Sequence, residues 1–158
     1  MAITASGLYV ATFVDVLDAT QLAIDTSLAS HKLALFSNSI TPNFTTDTAF
    51  GVSPYDANEV SGTGWAAGGV ALSAAASGGG STSPTTTASS GSLIYDMGDV
   101  AVSGTTLTNA RGVLLYADAL AGNNAILLVN FGADYSTNAG IFGITFNAAG
   151  VFTLDLTP

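Results

Sequence analysis

Apolar residues along the chain recur in short runs, often at every second position, and polar residues and glycines separate the runs. Alternation with a period of two is typical of strands that bury one face. In the segment 151–156, for example, Phe152, Leu154 and Leu156 share the face that we expect to lie against a core. The runs predict strands at 8–14, 21–25, 32–37, 70–74, 92–95, 100–103, 105–108, 112–116, 125–131, 141–146 and 151–156.

Turn-forming residues between these runs indicate how the strands connect. The sequence Asn-Ala-Ala-Gly at 147–150 predicts a hairpin between the last two strands, and 103–105 and 122–124 predict further turns. Evenly spaced short strands with such turns predict an all-β fold, either an antiparallel β-sandwich or a jelly-roll-like barrel with long loops. We expect at most one or two short helices, the best candidate lying within 14–22, where an aspartate could serve as the N-cap.

The length of 158 residues suits a single β domain that spans 1–158. The segment 77–92 differs from the rest because it is of low complexity and contains no large apolar residue. Two interpretations remain open for this segment. It is a loop that projects from the domain, or an arm that becomes ordered against a neighbouring subunit.

Charged residues are scarce in this chain. They make up 8% of the sequence, against roughly 25% in an average soluble domain, while the mean hydropathy is +0.50 and the net charge is −9. A surface of Ser, Thr, Asn, Gly and Ala loses water at little cost and has few long side chains to immobilise. This composition favours a chain packed against neighbouring subunits, although a virion or secreted protein with a neutral, Thr-rich coat would share it.

The charge balance also excludes several classes of partner. Lys32 and Arg111 are the only cationic residues besides His31, so the chain cannot form the basic patch that nucleic acids or anionic membranes require.

There is no cysteine, and no apolar run approaches the ~20 residues of a membrane span. The N-terminal segment lacks the basic start of a signal peptide, so we expect assembly in the cytoplasm of the cell that makes the protein.

Residues that could carry catalysis are few, and we predict no enzyme and no cofactor. His31 is the only histidine, and we expect it to be exposed at the start of a strand rather than part of a triad. Asp96 and Asp99 could form an acid pair or a weak calcium site, but aspartates between two strands more often make the hydrogen bonds of a turn. We therefore assign no catalytic or metal-binding residue.

Four aromatic residues distinguish the segment 42–69 from the rest of the chain. Phe44, Phe50, Tyr55 and Trp65 lie among small polar residues. Such aromatics suit a contact with another subunit or a surface that stacks on a glycan. They equally suit a long loop that folds over the end of a sandwich and is held there by its own aromatic side chains.

Several ordered motifs in this chain resemble a group of small structural proteins of tailed bacteriophages. The motifs are LALFSNSITPNF at 33–44, DTAFG at 47–51, NEVSGTGWAAGG at 58–69, TLTNARGVLLY at 106–116, NFGAD at 130–134, GIFGITF at 140–146 and GVFTLDL at 150–156. Members of the group are described as virion, minor capsid, decoration or tail-associated proteins. The resemblance therefore implies a structural role in a virion and no catalytic residue.

Together these observations predict a capsid decoration (minor capsid) protein that binds between major capsid subunits in the virion. Its partners would be the major capsid protein or other virion subunits, and copies of itself, most simply as a trimer around a local axis. The alternative is a module of the tail or fibre that binds a glycan of the host surface, with Phe50, Tyr55 and Trp65 as stacking platforms. An acid-pair hydrolase is the least favoured hypothesis.

Overall fold

The computed structural model describes residues 2–75 and 84–157, which contain nine strands and one α-helix. A single 3-10 turn, Leu72–Ala74, follows the fourth strand. The elements in chain order are β1 Gly7–Leu8, α1 Val10–Leu17, β2 Lys32–Phe36, β3 Glu59–Val60, β4 Val70–Ala71, β5 Thr85–Ser89, β6 Ser92–Asp96, β7 Val100–Tyr116, β8 Ala125–Ile144 and β9 Phe152–Asp155.

The strands form two antiparallel sheets that pack together, which confirms the predicted all-β sandwich. The larger sheet has the order β1-β8-β7-β2-β3, and β4 also pairs with β2. The smaller sheet has the order β5-β6-β9. Side chains of both sheets meet in one core cluster, in which Tyr95 of β6 joins Leu33 of β2 and Leu115 of β7.

The larger sheet is buried on both faces around β2. Leu33 and Leu35 point into the core between the sheets, whereas Ala34 and Phe36 belong to a second core on the opposite face. The segment between β2 and β3 covers that second core and contributes Tyr55 to it. Because both faces are buried, β2 is apolar at nearly every position instead of at alternate positions.

The strands β7 and β8, which pair antiparallel with each other, are much longer than the sequence predicted. The predicted strands 100–103, 105–108 and 112–116 are parts of the single strand β7, and 125–131 and 141–146 are parts of β8. The turn predicted at 103–105 is wrong, because Gly104 (φ +68°) lies at a shift of register within β7. A β-bulge of this kind absorbs the turn-like residues without ending the strand. The turn predicted at 122–124 does lie in the connection between β7 and β8.

The hairpin predicted at 147–150 is also wrong. The turn itself is present, since the Gly150 N–H donates to the Asn147 carbonyl oxygen at 2.9 Å and Gly150 has a φ of +111°. However, β8 belongs to the larger sheet and β9 pairs with β6 in the smaller one. The turn therefore carries the chain from one layer of the sandwich to the other.

The N-terminal region departs most from the prediction. The strand predicted at 8–14 is mainly the helix α1, which begins before the predicted helix window 14–22, and no strand forms at 21–25. No side chain caps α1, so neither Asp15 nor Asp18 is the N-cap that the sequence predicted. Its β-branched residues favour a strand locally, but Thr12 is buried and its Oγ1 donates to the Ala125 carbonyl at 2.6 Å. Tertiary packing therefore overrides the local preference.

The second half of the segment predicted as a loop or arm, 77–92, is regular structure. β5 occupies Thr85–Ser89 and pairs with β6 through a turn at Ser90 and Gly91, whose φ values are +48° and +81°. Positive φ at both central residues is the signature of a tight hairpin turn. Residues 77–83 lie outside the described residues, so the prediction stands untested for them.

Candidate assembly surface

Two of the four aromatic residues predicted to form a contact are buried inside the chain. Trp65 has no exposed surface, and its ring packs edge-on against Phe142 with centroids 5.5 Å apart. Its loop is fixed to β7 by the pairing of Thr63 with Thr106. Tyr55 is 2% exposed. The prediction that these two side chains contact a partner is therefore wrong, because neither offers a surface.

Tyr55 is held by a second buried tyrosine. The Tyr9 and Tyr55 hydroxyls are hydrogen-bonded to each other in the core beneath the loop. Burial, followed by the proximity of Tyr55, raises the pKa of Tyr9 far above its ordinary value, and burial raises the pKa of Tyr55 as well. Burial also raises the pKa of the neighbouring Asp47 carboxyl. Both tyrosines therefore remain neutral at physiological pH and serve to hold the loop.

Phe44 and Phe50 are half-buried, and each has one ring face occupied within the chain. The ring of Phe44 packs against Tyr9 with centroids 5.4 Å apart. Phe50 stacks on Tyr116 at 4.5 Å with an angle of 11° between the rings. The interpretation of a loop held by its own aromatics thus describes all four residues. A partner contact through the outer edges of Phe44 and Phe50 stays a prediction.

His31 is buried rather than exposed, contrary to the prediction. It is 1% exposed, and its Nε2 lies 2.7 Å from the Asp25 carbonyl oxygen. Because a carbonyl only accepts, Nε2 carries the proton and donates. Nδ1 is buried without a hydrogen-bond partner among the described residues. Residues 72–73 cover His31, because the Leu72 N–H donates to the His31 carbonyl and the Ser73 N–H donates to the Ala29 carbonyl.

Asp96 and Asp99 flank the connection between β6 and β7, and their side chains bind the backbone. An oxygen of Asp96 accepts from the Met97 N–H at 2.9 Å, and one of Asp99 accepts from the Phe146 N–H at 3.0 Å. The Asp96 bond is local, as the turn interpretation expects, whereas the Asp99 bond joins the start of β7 to the residues that follow β8. Within residues 2–75 and 84–157, no group of three His, Asp or Glu side chains is placed to hold a metal ion.

Both cationic side chains of the chain are paired with aspartates. The Lys32 Nζ lies 3.1 Å from Asp118, and the Arg111 guanidinium lies 3.2 Å from Asp134. Burial raises the pKa of Glu59, which instead accepts a hydrogen bond from the Gly68 N–H at 2.8 Å. The remaining acidic groups leave the surface with a net negative charge.

An apolar cleft between α1 and the smaller sheet is the most distinctive concave feature of the described chain. This α1–sheet cleft encloses about 250 Å³. Its walls are almost entirely apolar. They come chiefly from Phe13, Val16 and Leu17 of α1 and from Leu93, Phe152 and Leu154 of the sheet. Two threonine hydroxyls at its rim, those of Thr26 and Thr86, are hydrogen-bonded to each other. No charged side chain lines it, so it offers no group that could polarise a substrate.

Large apolar side chains remain exposed beside the cleft. Leu17 at the end of α1 is 85% exposed and Leu156 after β9 is 70% exposed. Val14, one turn before Leu17, is half exposed. Scattered exposed apolar residues are ordinary, but a group of them at the mouth of an apolar cleft is typical of a surface that another molecule covers.

The outer edge of β5 completes this surface. All five residues of Thr85–Ser89 are exposed, and the strand pairs only with β6 among the described residues. The strand contains no charged residue or proline, the usual protections of a sheet edge. We call this edge, the α1–sheet cleft and the exposed Leu17 and Leu156 the candidate assembly surface.

Sequence reasoning missed this surface because β5 lies in a low-complexity segment. Three consecutive β-branched residues, Thr85 to Thr87, and the Ser-Gly pair at 90–91 were the signals that could have revealed a hairpin. The cleft could not be read from the sequence, since α1 was predicted as a strand.

The described residues contain no helix that is both long and apolar enough to span a membrane. Comparison of the chain with protein-family models, with curated proteins and with solved structures gave no match.

Proposed function

We propose that this chain is a structural subunit of a tailed-bacteriophage virion, and specifically a capsid decoration protein that binds between major capsid subunits. The observation that carries the proposal is the candidate assembly surface. It combines an unpaired, uncharged strand edge with an apolar cleft in a chain of which only 8% is charged. The resemblance of the ordered motifs between 33 and 156 to phage structural proteins is what directs the proposal to a virion.

The mechanism would be thermodynamic. A protein that binds only the assembled shell stabilises that shell by its free energy of binding. Contacts with two adjacent capsid subunits would raise the effective affinity without requiring a strong single contact. Association through apolar and backbone groups suits this chain, because its two cations are already paired with Asp118 and Asp134. The negative charge of the outward-facing surface would keep decorated particles apart.

The other two hypotheses have less support. A glycan-binding module would need exposed aromatic rings, but Tyr55 and Trp65 are buried and Phe50 is stacked on Tyr116. A hydrolase would need convergent polar groups in a pocket, and the α1–sheet cleft presents none that are charged. Neither these aromatics nor the α1–sheet cleft supports the two hypotheses.

The copy number of the chain in purified virions tests the proposal. The virions would be those produced by the genome that encodes the chain, and quantitative mass spectrometry would compare this chain with the major capsid protein. We expect a fixed ratio close to one chain per capsid subunit or per local symmetry axis. A handful of copies per particle would instead place it in the tail, and absence from the particle would refute the proposal.

A further inference from the structure

We infer that β5 is a self-association edge, which pairs antiparallel with β5 of a second copy across a two-fold axis at Thr87. This pairing would join the two smaller sheets into one continuous six-stranded sheet, and it gives a dimer in place of the trimer that we expected from the sequence. The inference deepens the proposed function and rests on it, because it names the surface through which the structural subunit meets another copy.

The register of the β5–β6 hairpin determines which backbone groups are free. Ser89 and Ser92 flank the two-residue turn and face each other. Residues flanking such a turn exchange hydrogen bonds, and the bonded pairs then alternate along the ladder. Thr85, Thr87 and Ser89 therefore bond to β6, whereas Thr86 and Ala88 direct their N–H and C=O groups to the outer edge, with which no other described strand pairs.

The free groups are arranged symmetrically about Thr87. In an antiparallel pair of two β5 strands centred there, Thr86 of each copy lies opposite Ala88 of the other. Each such pair exchanges two hydrogen bonds. The contact therefore satisfies the N–H and the C=O of both Thr86 and Ala88 in each copy. A parallel or shifted pairing of the same strands would leave some of these groups unbonded.

Charge favours this edge over other surfaces for self-association. The chain carries a net charge of −9, so two copies repel each other wherever carboxylates face carboxylates. β5 has none, and its side chains are Thr, Thr, Thr, Ala and Ser. Two copies can therefore approach along β5 without placing like charges in contact.

The uncovered area beside β5 bears on the strength of the dimer. A five-residue strand pair is smaller than the ~1,200 Å² that a stable specific interface buries. The Thr86 and Ala88 side chains lie on the cleft side of the sheet and are exposed. A shallow surface depression formed by 86–93 and Leu156 adjoins them. The two-fold pairing would place a second copy beside this uncovered area. Because the strand pair itself is small, we expect the dimer to be reversible.

Single-cysteine variants test the pairing directly, because the chain contains no cysteine. Opposed Thr87 residues would form a non-hydrogen-bonded pair with Cα atoms ~4.5 Å apart, within the range that a disulfide spans. Two Thr85 residues would be separated by four residue spacings, or roughly 13 Å, which a disulfide cannot bridge. We expect T87C to form a covalent dimer under mild oxidation and T85C, its matched control on the same exposed face, to remain monomeric.

A mixture of variants tests the register. Thr85 of one copy would lie opposite Ser89 of the other, so T85C mixed with S89C should give the mixed disulfide. Circular dichroism would confirm that each variant is folded. Equal cross-linking of T87C and T85C, or none by T87C, would overturn the inference. So would light scattering that gives the monomer mass of 15.7 kDa at every concentration up to the solubility limit, or a plateau at three times that mass.

The two proposals fail in different ways. If T87C did not cross-link but the chain were abundant in virions, the self-association edge would be wrong and the decoration role would stand. If T87C cross-linked but the chain were absent from virions, the edge would stand and the decoration role would be refuted.

Discussion

Trp65 shows how much stability a single buried residue is expected to contribute in this chain. Its ring has no exposed surface and packs against Phe142. We expect Trp65→Ala to lower the free energy of unfolding by about 3–5 kcal/mol, measured by urea denaturation followed by circular dichroism. Val52 is 52% exposed, so Val52→Ala should change stability by less than about 0.5 kcal/mol. Equal effects of the two substitutions would show that Trp65 is not buried.

The buried tyrosines predict a loss of stability at high pH. Burial raises the pKa values of Tyr9, Tyr55, Tyr95 and Tyr116 above the ordinary 10.0. Between pH 10 and those raised values the unfolded chain releases tyrosine protons that the folded chain retains, so the stabilisation is complete below about pH 10 and declines above it. Tyrosinate absorbance should therefore rise together with unfolding.

A double variant provides the control for this pH dependence. Y9F/Y55F lacks two of the raised groups, so its stability should decline less steeply above about pH 10 than that of the wild type. Identical slopes for the two proteins would contradict the assignment of the buried hydroxyl pair.

At the residue scale the sequence identified which side chains are distinctive but not which way they point. The aromatics Phe44, Phe50, Tyr55 and Trp65 were recognised, and the structure uses all four to fasten loops. Their burial depends on how those loops fold over the sheet, and no local periodicity encodes this. His31 was misjudged for the same reason, since residues 72–73 cover it from a distant part of the chain.

At the element scale, the turn before β4 offers a matched pair of glycines. Both have positive φ, +83° for Gly68 and +78° for Gly69. A Cβ on Gly68 would meet nothing within 4 Å, whereas one on Gly69 would lie 2.2 Å from the Leu33 carbonyl oxygen in β2. We expect Gly68→Ala to cost about 1–2 kcal/mol and Gly69→Ala about 3–5 kcal/mol.

Urea unfolding of both glycine variants measures this difference. Since the φ penalty is shared, the excess for Gly69→Ala reports the close approach of the turn to β2. Equal midpoints would indicate that the turn does not pack against β2 as described.

The β5–β6 hairpin can be strengthened through its turn. Ser90 has a φ of +48°, a conformation that Asn adopts more readily than Ser in a two-residue turn before Gly. We expect Ser90→Asn to raise the Tm by about 1–3 °C. Ser89→Asn places the same residue in the strand, where Asn is disfavoured, and should lower the Tm. The reverse order would contradict the assigned turn.

The sequence predicted an element well where only one face of a strand is buried. In β9 the predicted alternation of Phe152 and Leu154 with exposed residues is confirmed. Leu156, which was predicted to share their face, lies beyond the end of β9 and is 70% exposed. β7 and β8 were divided into pieces because bulges within long strands resemble turns locally. α1 was missed because its β-branched residues favour a strand, and only its packing against β8 makes it helical.

For the whole molecule, the scarcity of charge predicts how association responds to salt. Contacts made by apolar groups and uncharged strand edges are little affected by screening, in contrast to contacts between charged patches. We therefore expect binding of the protein to capsids to change by less than about tenfold between ~0.1 M and ~1 M NaCl, measured by co-sedimentation. Loss of binding at high salt would indicate that carboxylates of this chain form the contact.

The most direct test of the decoration role is the heat stability of shells assembled without this protein. Purified protein would be added in increasing amounts, and the temperature of shell disassembly followed by light scattering. The account predicts saturable binding and a higher disassembly temperature, since a ligand at about 100 times its Kd stabilises each site by about 2.7 kcal/mol. Shells that neither bind the protein nor gain heat stability would contradict it.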